Sequence, residues 1–231
     1  MHKLALAALT LAIAACNGDN LFSANRVVAG PGPAEDDSLG VSPDLTADFF
    51  LDVAFDNEFG PATDAIRKWT GSPDVELINA TAEDLVTVDN VLGDIAAITG
   101  LRPTVVPTNG DIRVFFTTRD EFDQIADVPT TVEGATVASW DFDFQLVSAT
   151  VVVDSAATDS RRRHIIREEL TQAFGLLRDS WRVQSSIFYR GASSRTEFDA
   201  IDEDVLAILY SSVILPGMTR AQVMDVLDAR P

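Results

Sequence analysis

Hydrophobic and polar residues alternate along this chain in blocks that predict both helices and strands. Residues 81–99 carry apolar side chains at helical spacing, with Thr81 placed to cap the first turn and Gly100 to end the helix. The apolar stripe of this helix is predicted to be core: Leu85, Val88, Val91, Leu92, Ile95 and Ala96. β-Branched and aromatic runs predict strands at residues 112–118, 136–140 and 146–153, with a short helical stretch at 121–125.

Shorter apolar runs complete the predicted fold. The pattern predicts a strand at residues 49–55, a helix at 63–69 and a strand edge at 75–78. Two C-terminal helices are predicted, at residues 201–210 and from the cap Thr219 to about Ala229. Strands and helices in this order indicate an α+β domain.

The N-terminal residues predict export. Leu4 to Ala15 form an apolar run typical of a signal peptide and too short to span a bilayer. The run ends Ile-Ala-Ala-Cys, which resembles a bacterial lipobox, so we expect a signal peptide over residues 1–15 and lipidation of Cys16; the alternative is an ordinary signal peptide with an incidental cysteine. The predicted location is the cell envelope, with the anchor in the periplasm-facing outer membrane. Residues 16–45 then read as a disordered tether, and residues 46–231 as a single domain.

The net charge argues against nucleic acid and anionic membrane as partners. The formal net charge is −19, which disfavours nucleic acid and anionic membrane as partners of the bulk surface. Eight of the fifteen arginines nevertheless lie in residues 161–195. They could bind an anion or a carboxylate, but we favour ion pairs with the acidic remainder of the same domain.

The most informative stretch is residues 161–180, RRRHIIREELTQAFGLLRDS. On a helical wheel one face is apolar and would pack on the sheet: Ile166, Leu170, Ala173 and Leu177. The opposite face carries His164, Glu168, Gln172 and Gly175. Such a stripe either faces water or lines a cleft, and helical spacing does not distinguish the two.

This stretch resembles the active-site helix of metzincin zinc peptidases, H-E-x-x-H-x-x-G-x-x-H. Glu169 stands at the position of the catalytic base and Gly175 at that of the glycine. The three histidine positions hold Glu168, Gln172 and Arg178. The resemblance implies a zincin/metzincin-like fold, with a mixed four- to five-stranded sheet packed on helices and a small helical C-terminal part.

Further segments carry the same resemblance. Residues 186–189 look like the Met-turn beneath the zinc, with Phe188 where methionine should stand. The string REELTQAFGLLRDS, followed by SIFY and LPGM, resembles an uncharacterised family of exported bacterial proteins known only as a domain of unknown function. That likeness covers about residues 46–220.

We expect no metal and no cofactor. A zinc site needs nitrogen, sulfur or carboxylate donors; Gln172 is a poor ligand and Arg178 repels a cation. His164 is the only histidine after the predicted signal peptide, and an improvised site of His164, Glu168 and Asp179 is the less favoured reading. Asp141, Asp143 and Gln145 offer oxygens at alternate positions, but such spacing is common in turns and we do not favour calcium there.

Three hypotheses follow. The first is a lipid-anchored, metal-free pseudopeptidase, without enzyme activity, whose former cleft binds a peptide or another envelope protein. Its cleft would be lined by His164, Glu168, Glu169, Gln172, Arg178, Asp179 and Tyr189. The second is an unconventional hydrolase or peptidase with Glu169 as general base and Tyr189 or an arginine steadying developing charge. The third is an envelope protein whose motif helix serves folding alone.

Overall fold

The computed structural model describes residues 12–15, 43–55 and 63–229, which form one mixed β-sheet and six α-helices. The strands are β1 (Ala12–Ala15), β2 (Asp74–Ile78), β3 (Thr104–Val106), β4 (Ile112–Thr117), β5 (Gly134–Trp140) and β6 (Leu146–Asp154). The helices are α1 (Pro43–Phe55), α2 (Ala82–Thr99), α3 (Phe122–Ala126), α4 (Asp159–Gln172), α5 (Ala200–Tyr210) and α6 (Arg220–Asp228). A single 3₁₀ turn, Arg119–Glu121, precedes α3.

The sheet has the order β1-β5-β6-β4-β2-β3. The four strands from β6 to β3 run parallel to their neighbours, whereas β5 is antiparallel to β6. The short strand β1 pairs antiparallel with the outer edge of β5, from Ala12 opposite Ala138 to Ala15 opposite Ala135. A mixed sheet with five strands between residues 74 and 154, together with a helical C-terminal part, confirms the predicted fold class.

Three apolar clusters hold these elements together. The largest joins α2 and α4 to one face of the sheet, and a smaller one joins α3 to the opposite face of β5 and β6. A third cluster is formed by α1, α5 and α6 with the turn at Ile187 and Phe188. Successive residues of β6 serve two clusters, since Val151 and Val153 face α4 while Val152 faces α3. Both faces of the central strand are therefore covered.

The strand predicted at residues 49–55 is wrong, because this segment belongs to helix α1. Its apolar residues are buried nearly all round, so the run shows neither helical nor strand periodicity. The helix starts at Pro43, a residue type that suits the first helical turn.

The helix predicted at residues 63–69 is also wrong. This segment is irregular, and Lys68 forms an isolated bridge with Gln145. Its long side chains reach distant carbonyl groups instead of lying on a helix surface. Arg67 Nη2 donates to Ala54 O at 3.0 Å, and Lys68 Nζ donates to Leu209 O at 3.0 Å. Tertiary contacts of this kind override the local spacing of apolar residues.

The remaining predicted elements are confirmed, with small differences. Helix α2 has Thr81 as its N-cap in a capping box with Asp84, and Gly100 as a left-handed C-cap. Leu85, predicted as core, is exposed because Asp84 faces inward in its place. The strand predicted as an edge at 75–78 is β2, which lies between β3 and β4; β3 itself was not predicted.

The predictions for the N-terminal region lie mostly outside the described residues. This holds for Cys16 and for the tether as far as residue 42. Of the predicted signal peptide, only Ala12–Ala15 is described, as strand β1. Among the residues that the structure describes, no helix is both long enough and apolar enough to cross a bilayer.

Candidate functional site

Helix α4 lies at the centre of the domain, and its part from His164 onward is buried on every side. From His164 to Leu177 no residue is more than slightly exposed, including the charged side chains of Arg167, Glu168 and Glu169. The predicted apolar face packs in the main core with α2 and the sheet. The polar face does not reach bulk water; it lies against the chain segment that follows the helix. The stripe therefore does not face water, and two of its residues, His164 and Glu168, line a cavity instead.

Gly175 has a structural reason to be glycine. Its φ is +113°, a backbone conformation that side-chain-bearing residues rarely adopt. A Cβ atom at this position would overlap the carbonyl oxygen of Arg67 and lie 3.3 Å from a methyl group of Leu209. The glycine therefore lets the chain turn directly against residues 66–68, and its presence does not depend on any metal chemistry.

His164 and Glu168 form a buried pair on the polar face of α4. His164 Nε2 lies 3.1 Å from Glu168 Oε2, and both side chains are 1% exposed. His164 Nδ1 lies 2.8 Å from the carbonyl oxygen of Arg195, which can only accept a hydrogen bond. Nδ1 is therefore the donor in this hydrogen bond. Both ring nitrogens of His164 are thus already in contact with groups of the same domain, Nε2 with Glu168 and Nδ1 with Arg195.

Gln172 is held one turn further along the helix. Its Nε2 donates to Asp179 Oδ1 at 2.9 Å, and both residues are buried. The amide nitrogen, a donor, is thus turned toward the carboxylate that could otherwise have faced a cation. Asp179 in turn lies directly after Arg178, whose guanidinium belongs to a neighbouring groove with Asp52.

A cavity of about 170 Å³ lies over the His164–Glu168 pair. It is lined by four of the predicted site residues, His164, Glu168, Asp179 and Tyr189. The other lining residues are Glu133, Arg161, Arg190, Gly191, Ala192 and Ser193. Gln172 lies beneath Asp179, and Arg178 lines the adjacent groove; neither lines this cavity. The structure therefore brings together only part of the predicted set.

Glu169 points away from this cavity, toward strand β5. It is fully buried, and Thr136 Oγ1 donates to its Oε2 at 3.0 Å and to its main-chain carbonyl at 2.6 Å. A Cβ atom at Gly134 would lie 2.9 Å from Glu169 Cγ, which shows how closely β5 approaches the helix. Glu169 and Tyr189 do not face one pocket, and this geometry argues against the hydrolase hypothesis.

Four of the eight arginines in residues 161–195 form ion pairs within the domain. Arg161 pairs with Glu133 at 2.7 Å and Arg162 with Asp84 at 2.6 Å. Two more of the eight behave in the same way: Arg167 with Asp94 and Glu197, and Arg182 with Asp48 and Asp52. Intradomain pairing, the favoured interpretation of the sequence, accounts for these four.

Asp202 is a site residue whose role the sequence analysis missed. It is fully buried and accepts hydrogen bonds from Ser186 Oγ at 2.5 Å, from Ile187 N at 3.1 Å and from Asp199 N at 2.9 Å. Burial raises the pKa of Asp202 to about 6, although these hydrogen bonds oppose the shift. The residue ties helix α5 to the turn at 186–189. The D-x-x-D spacing of Asp199 and Asp202, a capping box, was the available signal.

The donor set does not fit the zinc ion that the metzincin resemblance implies. Among the described residues, no three His, Cys, Asp or Glu side chains are grouped so that they could hold a metal ion. The improvised site of His164, Glu168 and Asp179 is therefore not formed. In the loop of Asp141, Asp143 and Gln145, where calcium was not favoured, Asp141 Oδ1 accepts from Asp143 N at 2.9 Å and from Gln145 N at 3.0 Å.

Comparison with known proteins gives a family and distant structural likenesses. The solved structure titled "Structure of Myroilysin" shares 15% sequence identity, and the match covers 47% of this chain and 43% of that chain, with a TM-score of 0.29. A likeness at this level carries no argument about activity. No curated protein matches the chain. A family profile described as "Protein of unknown function (DUF2927)" matches residues 43–229, so the chain belongs to this family.

Proposed function

We propose that this protein is a metal-free pseudopeptidase of the bacterial cell envelope, which binds an extended peptide and does not hydrolyse it. The observation that carries the proposal is the internal pairing of His164 with Glu168 and of Gln172 with Asp179. Glu168 and Gln172 stand at two of the positions where a metzincin would present ligands to zinc, and here they bond instead to His164 and Asp179 inside the domain.

The chemistry of these residues supports binding over catalysis. Arg178, at the third ligand position, is a permanent cation and cannot ligate a metal. Glu169, at the position of the catalytic base, does not line the cavity over His164. Without an activated water and a base facing the same space, the cavity lacks the parts that peptide hydrolysis needs.

The outer edge of β5 supplies a reason to expect a peptide as the ligand. In the structure this edge is paired by β1, the segment Ala12–Ala15. Signal-peptide cleavage before Cys16 would remove β1 and leave the backbone groups of this edge open. An exposed edge strand is a template for an added strand. The edge runs beside α4, so an added peptide would pass close to the cavity that begins at Glu133.

Peptide binding is tested with the chain from residue 16 onward, carrying Cys16→Ser to avoid lipidation. The probe is a fluorescein-labelled peptide with the sequence of residues 8–15, followed by fluorescence anisotropy. A matched peptide N-methylated at alternate residues cannot donate the ladder hydrogen bonds and serves as the control. We expect the parent peptide to bind at least about tenfold more tightly than the control. Equal binding of the two peptides would refute strand addition.

Zinc content and peptidase activity are measured in a separate experiment. Protein purified without a histidine tag is expected to contain no stoichiometric zinc and to cleave no peptide in a mixed peptide library. Zinc bound with sub-micromolar affinity, together with peptidase activity lost on chelation, would overturn the pseudopeptidase proposal.

The envelope location is proposed from the N-terminal sequence. Metabolic labelling with a palmitate analogue is expected to mark the full-length chain in the bacterial membrane fraction, and Cys16→Ser is expected to abolish the label. A labelled Cys16→Ser chain, or unlabelled full-length protein in the soluble fraction, would count against the anchor.

A further inference from the structure

A segment without helix or strand, residues 191–197, lies across the buried polar face of helix α4. Its first three residues form one wall of the cavity over His164. None of its residues is buried, whereas the side chains of His164 and Glu168 beneath it are each 1% exposed. The segment therefore covers a buried polar pair without burying any residue of its own.

Two main-chain carbonyl groups of this segment are held by side chains of α4. Arg161 Nη1 donates to Ser193 O at 2.9 Å, and His164 Nδ1 donates to Arg195 O at 2.8 Å. Arg161 and His164 are three positions apart and so project from one side of the helix. The segment is thus attached to the polar face of α4 through its backbone.

The other attachments of residues 191–197 are weak. Arg167 Nη2 donates to Glu197 Oε2 at 3.3 Å, and the Glu197 side chain is 80% exposed. Among the residues that the structure describes, no backbone group of 191–197 bonds to another backbone group. An ion pair at an exposed carboxylate contributes little, and bonds to water offset much of each hydrogen bond that is lost when the segment moves away. The segment is therefore held less firmly than the helices and strands around it.

Both ends of the segment are fixed. Before it, Arg190 N donates to Ser180 O at 3.1 Å. After it, Phe198 packs against the two larger apolar clusters, and its ring centroid lies 4.5 Å from the guanidinium carbon of Arg167. Asp199 then caps helix α5. A weakly held segment between two fixed ends can swing away from α4 while the rest of the domain stays folded.

We infer that residues 191–197 are a lid, which opens locally and gives solvent and ligands access to the pair of His164 and Glu168. Opening breaks the contacts with Arg161, His164 and Arg167 and leaves the apolar clusters intact. The cavity of about 170 Å³ widens as its outer wall moves away. A minor conformation of this kind is populated at roughly 0.1–10% in the free protein. The lid does not depend on strand addition at β5, so its test needs no peptide.

The first test modifies His164 with diethyl pyrocarbonate, which acylates accessible imidazole nitrogens. His164 is the only histidine in the Cys16→Ser chain from residue 16, so its peptide in the mass spectrum reports the reaction. Local opening predicts a rate about 10- to 1,000-fold below that of N-acetylhistidine. Urea below the unfolding transition should change this rate little, because opening of the lid exposes little surface.

The second test uses trypsin, which must draw the carbonyl group of the bond after Arg195 into its active site. That carbonyl is the one held by His164, so cleavage requires an open lid. Within residues 63–229 we expect the first cut after Arg195. The bond after Arg182 is the matched comparison, because it also lies in an irregular stretch but Arg182 is held by ion pairs to α1. It should be cut later.

Three variants separate the lid from the helix beneath it. Glu197→Gln removes the lid contact of Arg167 and should speed the modification of His164 at least about twofold. Asp94→Asn removes the other carboxylate of Arg167, which lies on α2, and should leave the rate unchanged. Arg195→Gln should lose the tryptic cut and keep the rate, because the carbonyl group of this residue meets His164. Circular dichroism checks that each variant is folded.

Four outcomes would overturn the lid. A modification rate that rises with urea as steeply as global unfolding would show that His164 is reached only when the domain unfolds. A rate equal to that of N-acetylhistidine would show that the segment does not cover His164 in solution. Equal effects of Glu197→Gln and Asp94→Asn, or a first tryptic cut anywhere in residues 63–229 other than after Arg195, would likewise contradict it.

Discussion

The carboxyl group of Asp202 should make the stability of this domain fall as pH rises from about 4 to 6. Burial raises its pKa from 3.8 to about 6. Between these two values the folded state binds more protons than the unfolded state. Stability is therefore fully present below the unfolded pKa and is lost as pH rises through the folded pKa. A shift of about two pKa units corresponds to about 3 kcal/mol.

Asp202→Asn isolates this contribution, because an amide stays neutral at every pH. Its oxygen can accept from the backbone nitrogens of Ile187 and Asp199, and its nitrogen can donate to Ser186 Oγ, so every partner keeps a hydrogen bond. We expect the variant to be less stable than the parent by about 1 kcal/mol at pH 4. Relative to the parent, it should then gain about 3 kcal/mol between pH 4 and pH 8.

The assay is urea denaturation followed by far-UV circular dichroism, at unit pH intervals from 4 to 8. The quantity compared is the difference in unfolding free energy between variant and parent, in which the titration of all other carboxyl groups cancels. Glu203→Gln, an exposed carboxylate on the same helix, is the control and should give a flat difference. A difference for Asp202→Asn that is also flat within about 0.5 kcal/mol would refute the assignment of a raised pKa to Asp202.

Three further substitutions, with one control, test the packing around the motif helix by denaturation at pH 7. Gly175→Ala should lower the free energy of unfolding by at least about 3 kcal/mol, since its φ is +113° and backbone lies where the methyl group would go. The control Gly93→Ala, in open space on α2, should instead raise it by about 0.5–1 kcal/mol. Equal effects of the two would contradict this reasoning. Gly134→Ala should cost about 1–3 kcal/mol by forcing β5 away from α4, and an unchanged stability would show that the contact relaxes freely. Asp84→Asn should cost about 2–4 kcal/mol at pH 7 by breaking the pair with Arg162. Burial raises the pKa of Asp84, but the hydrogen bonds from Arg162 and Thr81 outweigh it and lower the pKa from 3.8, so the cost should shrink as pH falls through the lowered pKa. A cost that stays constant with falling pH would refute the electrostatic origin.

Elements with one exposed face were predictable from the sequence. Helix α2 shows a clear stripe with a cap at Thr81 and a stop at Gly100, and β4, β5 and β6 are β-branched runs with the expected bounds. Their periodicity survives because water covers one side or because β-propensity is strong. Burial on all sides removes that signal, which is why α1 was taken for a strand.

The candidate site was predictable only in part, for a similar reason. The helical spacing of His164 and Glu168 places them on one face, and they do line one cavity. Glu169, adjacent in sequence, points about 100° away on an α-helix and so meets β5 instead. No local signal reveals that the consecutive charged residues Arg167, Glu168 and Glu169 are enclosed by the rest of the domain. Their burial depends on the long-range position of the segment after the helix.

The turn after α4 has a consequence for how the domain comes apart. Leu176 packs in the cluster of α1, α5 and α6, while its neighbour Leu177 packs in the cluster of the sheet, α2 and α4. Two adjacent residues thus anchor the chain in both apolar clusters, and neither cluster can loosen far without pulling on the other. Residues 43–55 and 63–229 are therefore expected to unfold in a single cooperative transition, with the backbone amides at residues 173–177 among the slowest to exchange with solvent.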